Sequence, residues 1–371
     1  MSLRSFVSSI KPTFTRGGKF GWLQSTFEAF ESFLFVPNKV TKKGVHVRDS
    51  VDLKRVVTCA LIALLPCVLF SMWNLGYQHN LAIGGDLGFW AMVWYGFLKI
   101  LPLYLVTYIV GLGIEFTSAQ LRGHEVNEGF LFSGLIIPMI VPVTIPLWML
   151  GIAVAFAVIF GKEVFGGTGM NIWNPALLAR AFLFFSYPNQ MSGDGVWVDG
   201  VSGATPLAQA AGGLENLQYS AMDLFLGAIP GSIGETCKVA ILIGAFILIY
   251  TGVASWKIML SSVAGGLLVG FLAQIGGATD IPAYYHLLMG GFLFGTVFMA
   301  TDPVTAAQTE CGKWIYGFLV GAIAVIIRLF NPGYPEGMML SILLMNTFAP
   351  LIDHCVVKHN INKRLARAKT V

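Results

Sequence analysis

Long uninterrupted apolar runs are the feature that most limits what this chain can fold into. Three of them read VVTCALIALLPCVLFSMW from Val56, VAILIGAFILIY from Val239 and YGFLVGAIAVIIRLF from Tyr316. Such runs are typical of helices that cross a bilayer, whose hydrocarbon core is about 30 Å thick. Hydrophobic residues make up 56% of the sequence and charged residues only 11%, whereas a soluble protein carries about 25% charged residues. The sequence therefore predicts an all-α polytopic membrane protein.

We expect about ten transmembrane helices, arranged as two inverted five-helix halves with broken helices. An even number of spans puts both ends of the chain on one side of the membrane. The predicted spans are 53–76, 88–116, 128–141, 145–162, 174–187, 233–251, 256–275, 282–300, 313–330 and 337–357.

Basic residues are concentrated at the two ends of the chain. Residues 1–55 contain ten Lys and Arg, and the tail from Lys358 contains five, out of 23 in total. Cytoplasmic segments of membrane proteins carry such an excess, so both termini are expected in the cytoplasm. The predicted outer connections contain no Lys or Arg, and Lys238 and Arg328, near outer helix ends, are the exceptions. In a membrane protein this charge does not indicate nucleic-acid binding.

These signals divide the chain into five segments. The basic ends are cytoplasmic, and the longest outer connection separates the two membrane halves. The segments are a basic N-terminal extension (1–55), a first membrane half (56–187), an outer loop (188–222), a second membrane half (223–357) and a basic tail (358–371).

An internal similarity links two segments of the predicted halves. GGTGMNIWNPALLA from Gly166 and FGTVFMATDPVTAA from Phe294 align without gaps at an offset of 128 and set Asn174 opposite Asp302. We expect them at the same place in each five-span half, where interrupted helices of transport folds meet near the midplane. Asn-Pro and Asp-Pro also favour simple helix starts. Two ordinary caps and a polar central site remain alternatives.

The run DGVSGAT ends at Thr205, in the predicted outer loop. As local structure, Thr205 followed by Pro206 predicts an N-cap and the first turn of a helix. The run also resembles the flavinylation signature D-G-x-[ST]-G-A-T, in which a transferase joins the phosphate of FMN to the last Thr. The two interpretations agree, since a helix N-terminus favours an anion. The other candidate residues of the motif are Asp199, Ser202, Gly203 and Ala204.

With this motif, the whole chain resembles the family of B subunits of Na⁺-translocating NADH:quinone oxidoreductases. The resemblance includes the basic extension, GHEVNEGF at 123–130, GMNIWNPA at 169–176 and MATDP at 299–303. The related D subunits of Rnf complexes share the ten-span body and the flavin Thr, but usually have a shorter N-terminal extension.

The resemblance implies covalent FMN on Thr205, a noncovalent riboflavin in the membrane and a ubiquinone site. It also implies a bacterial inner-membrane complex with an NADH-oxidising subunit, an outer-facing flavin subunit, a flavin transferase for maturation and coupled Na⁺ export. A quinone site near the inner surface lies most of a ~30 Å core from the outer FMN, so an intermediate carrier is expected. Candidate riboflavin contacts are Asn171, Trp173, Asn174 and Asp302. Helix capping and an interfacial Trp are the alternatives for these residues.

For ubiquinone, the candidates on the inner side are Gly111, Gly113, Glu115 and Phe130, because glycines admit a flat ring and Phe130 can pack on it. A glycine-packed helix pair is the alternative. For the Na⁺ pathway, the candidates are Asp353, Glu115 and Glu163, since carboxylates within membrane segments are costly without a function. Solvation at the inner boundary is the alternative for these acids.

Two other functions remain open on the sequence: an Rnf-type electron-transport subunit, and a flavin-free channel or solute transporter with inverted halves. The chain lacks a strand–GxGxxG–helix fingerprint, so NADH is expected to bind another subunit. Its five cysteines form no clustered ligand set, and no metal site is predicted.

Overall fold

The computed structural model describes residues 3–15, 17–35, 41, 43–45, 47, 53–122, 129–191, 196–198, 201–202, 205–331 and 337–369. Its architecture is almost entirely helical. The helices are α1 (Leu3–Phe14), α2 (Gln24–Leu34), α3 (Leu53–Ile83), α4 (Phe89–Arg122), α5 (Phe130–Met139), α6 (Leu147–Val158), α7 (Pro175–Ser186), α8 (Pro188–Met191), α9 (Pro206–Ala211), α10 (Ala221–Leu226), α11 (Lys238–Tyr250), α12 (Trp256–Ile275), α13 (Tyr285–Leu288), α14 (Phe292–Phe298), α15 (Glu310–Phe330) and α16 (Gly337–Lys369).

Each predicted span coincides with a helix or a pair of short helices. Within the described residues, α3, α4, α12, α15 and α16 are long and apolar enough to cross a membrane. The apolar helices α5, α7 and α11 are shorter, and the eighth predicted span is broken into α13 and α14. The predicted polytopic, all-helical class with broken helices is confirmed. A hairpin of two short antiparallel strands, β1 (Val196–Val198) and β2 (Val201–Ser202), is an unpredicted addition in the outer connection.

Two predicted segment boundaries fall inside helices. The basic tail from Lys358 is not separate, because α16 continues through it to Lys369. The boundary at 222/223 lies within α10, which Ser220 and Asp223 start with a reciprocal capping box. The sequence carries this signal as Ser-x-x-Asp. The Ser220 hydrogen bonds hold the pKa of Asp223 below its usual value.

The first 55 residues also contain helices. Lys11 of α1 forms an ion pair with Glu31 of α2 at 2.7 Å. α2 packs against α4, and the rings of Phe30 and Phe116 lie 6.2 Å apart. The N-terminal extension is thus attached to the C-terminal half of α4.

Two sets of five helical segments share five neighbour pairs, although α3 packs closely against α4 and, among the described residues, α11 has no comparable packing against α12. In the first set, α4 packs against α5 and α6, α6 against α7, and α5 against both α3 and α7. In the second set, α12 packs against α14 and α15, α15 against α16, and α14 against both α11 and α16. Thus α5 corresponds to α14 and α7 to α16. The odd number of segments in each set fits the expected inverted halves.

This correspondence corrects the interpretation of the internal alignment. The segment from Gly166 leads into α7, the fifth element of the first half. The segment from Phe294 begins inside α14, the third element of the second half. The expectation that the two lie at the same place in each half is wrong. They share a local requirement, a helical turn started by Asn-Pro or Asp-Pro.

Glycines let helix backbones touch within each half. A Cβ at Gly96 of α4 would lie 1.9 Å from the carbonyl oxygen of Met72 in α3. A Cβ at Gly321 of α15 would lie 1.8 Å from the carbonyl oxygen of Ser262 in α12. Small residues permit such close approach between membrane helices, whose association depends on packing.

We expect Gly321→Ala to destabilise the fold by about 1–3 kcal/mol, since the added methyl overlaps a carbonyl and the helices must separate. Thermal unfolding of the purified protein in detergent measures the effect. Gly113→Ala is the matched control, because Gly113 is also helical and a Cβ there meets nothing within 4 Å. Equal stability of the two variants would contradict the packing argument.

Candidate functional sites

A cleft opens between the two halves near the N-terminal end of α3. Its cavity volume is about 110 Å³, smaller than the roughly 300–1,000 Å³ of typical small-molecule sites. Its walls come from α3, α5, α7, α11 and the turn that follows α14. The walls are largely apolar. The polar residues that line the cleft are Ser133, Lys162, Thr168, Asn171, Asn174, Thr301 and Asp302.

Asn174 and Asp302 meet at the centre of this cleft. Asn174 caps α7, where its Oδ1 accepts from the Ala176 N–H at 3.0 Å. Its Nδ2 donates to Asp302 Oδ2 at 3.2 Å. The Asp302 carboxylate also accepts from the Val304 N–H and the Thr305 hydroxyl, both at 3.1 Å. Asp302 starts a single turn rather than a helix, so the short helix predicted after Asp-Pro is wrong.

The four expected riboflavin residues divide into two groups. Asn171, Asn174 and Asp302 line the same cleft. The indole of Trp173 instead donates to the Thr347 hydroxyl of α16 at 3.0 Å and packs against Phe165 with ring centroids 6.0 Å apart. The geometry thus brings together the two amides and the carboxylate, but not the indole.

A network of charged side chains connects this cleft to the C-terminal ends of α4 and α6. A π-helical turn, Ile159–Glu163, follows α6 and places two consecutive charged residues on the inside of the protein. Lys162 forms an ion pair with Glu115, and both are buried. Glu163 accepts from the Ser118 hydroxyl at 2.5 Å and pairs with Arg122 at 3.4 Å. Local π-turns are frequent at functional sites.

The predicted quinone residues do not face one space. The Phe130 ring packs directly on Gly111, where a Cβ would lie 1.9 Å from its Cζ. Gly113 lies on another face of α4, in an open cleft that Ser118, Arg122 and Glu163 also line. Glu115 points to the interior, toward Lys162. The role of these four residues stays a prediction.

Of the predicted Na⁺ residues, Asp353 lies apart from the other two. Its carboxylate joins α16 to the start of α15, and it accepts from the Gln308 N–H at 2.7 Å and the Thr309 N–H at 3.0 Å. It also accepts from the Thr309 hydroxyl at 2.6 Å. These contacts give Asp353 a structural role, and an ion-pathway role for it stays a prediction.

Thr205 caps α9 as the sequence predicts. Its hydroxyl accepts from the Ala208 N–H at 3.3 Å, and Pro206 occupies the first helical position. The side chain is half-buried. Of the other motif residues, Ser202 ends the backbone of β2, and Asp199, Gly203, Ala204 and the Ser202 side chain lie outside the described residues.

Sequence reasoning missed a second polar region, which lies beside the predicted outer connection. Lys238 and Arg328, the exceptions to the charge separation, are only 1% and 7% exposed. Lys238 Nζ donates to the Glu235 carbonyl at 2.6 Å. The Arg328 guanidinium donates to the carbonyls of His286 and Met289 in the broken eighth span. Their departure from the charge rule is the sequence signal that identifies them.

We expect Lys162→Met to cost about 3–5 kcal/mol of stability, because it leaves the Glu115 carboxylate buried without its partner. The double variant Glu115→Gln/Lys162→Met removes both charges and is expected to be the more stable of the two. Thermal unfolding of the purified protein compares them.

The matched control is Lys257→Met. Lys257 also pairs with a carboxylate, but that carboxylate, Glu310, is 67% exposed. Such a pair contributes about 0–1 kcal/mol. Equal losses in the two Lys→Met variants, or a double variant less stable than Lys162→Met, would show that the buried pair does not hold the C-terminal ends of α4 and α6 together.

Comparison with known proteins gives relatives that align from end to end. Proteins from Ectopseudomonas mendocina and Chromohalobacter salexigens are each 46% identical to this chain, over 99% of its length and 100% and 97% of theirs. A protein from Pseudomonas aeruginosa is 44% identical over 99% of the chain and its own full length. All three are named as the B subunit of a Na(+)-translocating NADH-quinone reductase.

A family model described as the NQR2, RnfD, RnfE family matches residues 40–362. The match spans both helical halves, the outer connection that carries Thr205 and the cleft where Asn174 meets Asp302. Together with the full-length relatives, it confirms the resemblance seen in the sequence. The chain belongs to the NQR2, RnfD, RnfE family.

Proposed function

We propose that the chain is the membrane subunit of a Na⁺-translocating NADH-quinone reductase. In this proposal it carries FMN covalently on Thr205 and riboflavin noncovalently in the central cleft, and it delivers electrons to ubiquinone with coupled Na⁺ export. The observation that carries the proposal is the end-to-end similarity to relatives with that name, at 44–46% identity.

The chemistry of the central cleft fits a flavin. Asn171 and Asn174 offer amide donors and acceptors, and Asp302 offers a carboxylate, within a wall that is otherwise largely apolar. Such a wall with a few placed polar groups is typical of cofactor sites. In the proposal these residues orient the ring and exclude water from it.

Thr205 fits a phosphoester linkage to FMN. Its hydroxyl lies at the outer connection and is half-buried, and it ends a motif that matches the flavinylation signature at each fixed position. A bound flavin supplies the reversible electron chemistry that amino-acid side chains lack. The chain supplies the attachment point, and α9 fixes its position on the second half.

The inner charged network is the proposed region for ubiquinone and Na⁺. Glu163, Ser118 and Arg122 line an open cleft beside Gly113, where an apolar quinone has access from the lipid. Glu115 and Lys162 lie behind this cleft, and Lys162 also lines the central one. Two consecutive residues of the π-helical turn, Lys162 and Glu163, therefore line the two clefts. Asp353 is the proposed entry residue for Na⁺.

The proposal includes the cellular setting. The chain resides in a bacterial inner membrane with both termini in the cytoplasm and residues 188–222 on the outer side. Its partners are an outer-facing flavin subunit and an NADH-oxidising subunit. The charge separation of the sequence supports this orientation.

We expect the denatured chain, produced with its flavin transferase, to show covalent flavin fluorescence in a gel. Thr205→Ala removes the hydroxyl that forms the ester, so the fluorescence is lost. Thr205→Ser keeps a hydroxyl and is the matched control for the altered cap. A wild-type chain without fluorescence, made with the transferase, would contradict the flavin assignment and favour a flavin-free transporter.

We expect Asn174→Asp to lower the noncovalent flavin content of the purified complex roughly tenfold, since a lost hydrogen bond to a charged group costs about 1.5–3 kcal/mol. Asp keeps the cap of α7 but opposes the carboxylate of Asp302. Flavin released on denaturation is quantified by chromatography.

The exchanged double variant Asn174→Asp/Asp302→Asn is the control. It restores one amide and one carboxylate at the same contact, so flavin content is expected to recover. Unchanged flavin in Asn174→Asp would contradict a flavin site at this contact, whereas covalent fluorescence at Thr205 is expected in all variants.

A further inference from the structure

Buried positive charge lies beneath the helix that begins at Thr205. Lys238, Arg328 and Arg180 surround one carboxylate, Glu235, and we call these four residues the cationic cluster. Their side chains are 1%, 7%, 6% and 5% exposed, respectively. Arg180, Arg328 and Glu235 line one small cavity, in which Glu235 is the one carboxylate among the described lining residues. Lys238 and Arg328 therefore place two buried cations near the Glu235 carboxylate.

The hydrogen bonds of two of these cations go to backbone carbonyls, while the Glu235 carboxylate acts on both through its charge. Lys238 Nζ donates to the carbonyls of Glu235 at 2.6 Å and Thr236 at 3.2 Å. Arg328 Nη2 donates to the Met289 carbonyl at 3.2 Å, and its guanidinium lies 5.7 Å from the centre of the Phe292 ring. Arg328 Nε has no hydrogen-bond partner among the described residues. Backbone dipoles stabilise these cations without cancelling their charge, so their field extends to whatever lies nearby.

The helix that starts at the flavinylation motif rests on this cluster. Leu207, two residues after Thr205, packs with Met289 in a small outer core. A Cβ at Gly290 would lie 2.8 Å from Leu207 Cδ2 and 3.6 Å from Arg328 Nη2. The one residue Gly290 therefore separates the first turn of α9 from the Arg328 guanidinium. Gly290 has a φ of +59°, which favours glycine there.

We propose that the cationic cluster lies under the FMN site and that its positive charge raises the reduction potential of the flavin on Thr205. This inference rests on the proposed function, because it assumes the covalent FMN. When oxidised flavin takes up two electrons from the partner donor and one proton from solvent, it gains one unit of negative charge. Nearby buried cations stabilise that product more than the reactant. Lys238, Arg328 and Glu235 thus act on the flavin through their charges, and none of them has to contact the ring.

The test uses charge changes of opposite sign at buried positions. Arg328→Gln and Lys238→Met each remove a positive charge and are expected to lower the midpoint potential of the covalent FMN. Glu235→Gln is nearly isosteric, removes the negative charge and is expected to raise it. We expect shifts equivalent to at least a tenfold change in the reduction equilibrium, which is about 30 mV for a two-electron couple.

The potential is measured by redox titration of the whole purified complex. The flavin on Thr205 is isolated by subtracting the titration of the same complex that carries Thr205→Ala. Arg328→Lys keeps the charge and is expected to retain the wild-type potential. Lys313→Gln is the remote control, because Lys313 pairs with the exposed Glu310 at the start of α15, and it is expected to shift nothing.

Opposite shifts in Arg328→Gln and Glu235→Gln support the proposal, since damage to the fold would not reverse sign with the charge. Shifts of the same sign, or no shift in either variant, overturn it. If Arg328→Gln does not assemble, Lys238→Met and Glu235→Gln still provide charge changes of opposite sign. Loss of covalent fluorescence in the wild-type chain would refute the proposed function itself, whereas normal fluorescence with unchanged potentials would refute this inference alone.

Discussion

Where a helix of this protein is interrupted, backbone N–H and C=O groups lose their helical hydrogen bonds and require new hydrogen-bond partners. The rest of the structure depends on which groups supply them. Water is scarce at membrane depth, so the partners have to come from the protein. At the central cleft the side chains of Asn174 and Asp302 take this role and bond to each other at 3.2 Å. At the broken eighth span, Arg328 and Lys238 take it with their donors. Each break therefore becomes a polar site.

The two regions differ in their balance of charge. Near the C-terminal ends of α4 and α6, two carboxylates, Glu115 and Glu163, are paired with two cations, Lys162 and Arg122. Beneath the predicted outer connection, two buried cations, Lys238 and Arg328, lie near one carboxylate, Glu235. Burying a cation is costly unless its charge is compensated. Carbonyl dipoles supply part of that compensation here, and an anionic group bound above the cluster would supply more.

Much of the fold could be predicted from the sequence, because apolar runs and loop charges report directly on helices that cross a bilayer. The spans, the cap at Asn174 and the cap at Thr205 followed from such local signals. The rest depends on contacts distant in sequence. The pair of Lys162 with Glu115 depends on a π-helical turn without a clear sequence pattern. Likewise, Trp173 turns away from the cleft because Thr347, on another helix, accepts its N–H.

The incorrect interpretation of the internal alignment and the two exceptions to the charge separation have different physical reasons. Gly166 and Phe294 begin similar strings because each string contains a turn started by Asn-Pro or Asp-Pro, and a local requirement can recur at non-equivalent places of a repeat. Lys238 and Arg328 break the charge separation for another reason. That rule counts cations in connecting loops, which remain in water, whereas these two lie inside the protein against freed carbonyls. In a membrane protein, a Lys or Arg that departs from the charge separation therefore indicates an interrupted helix nearby, whose free carbonyls accept its hydrogen bonds. Here the interrupted segment packs against the helix that starts at Thr205.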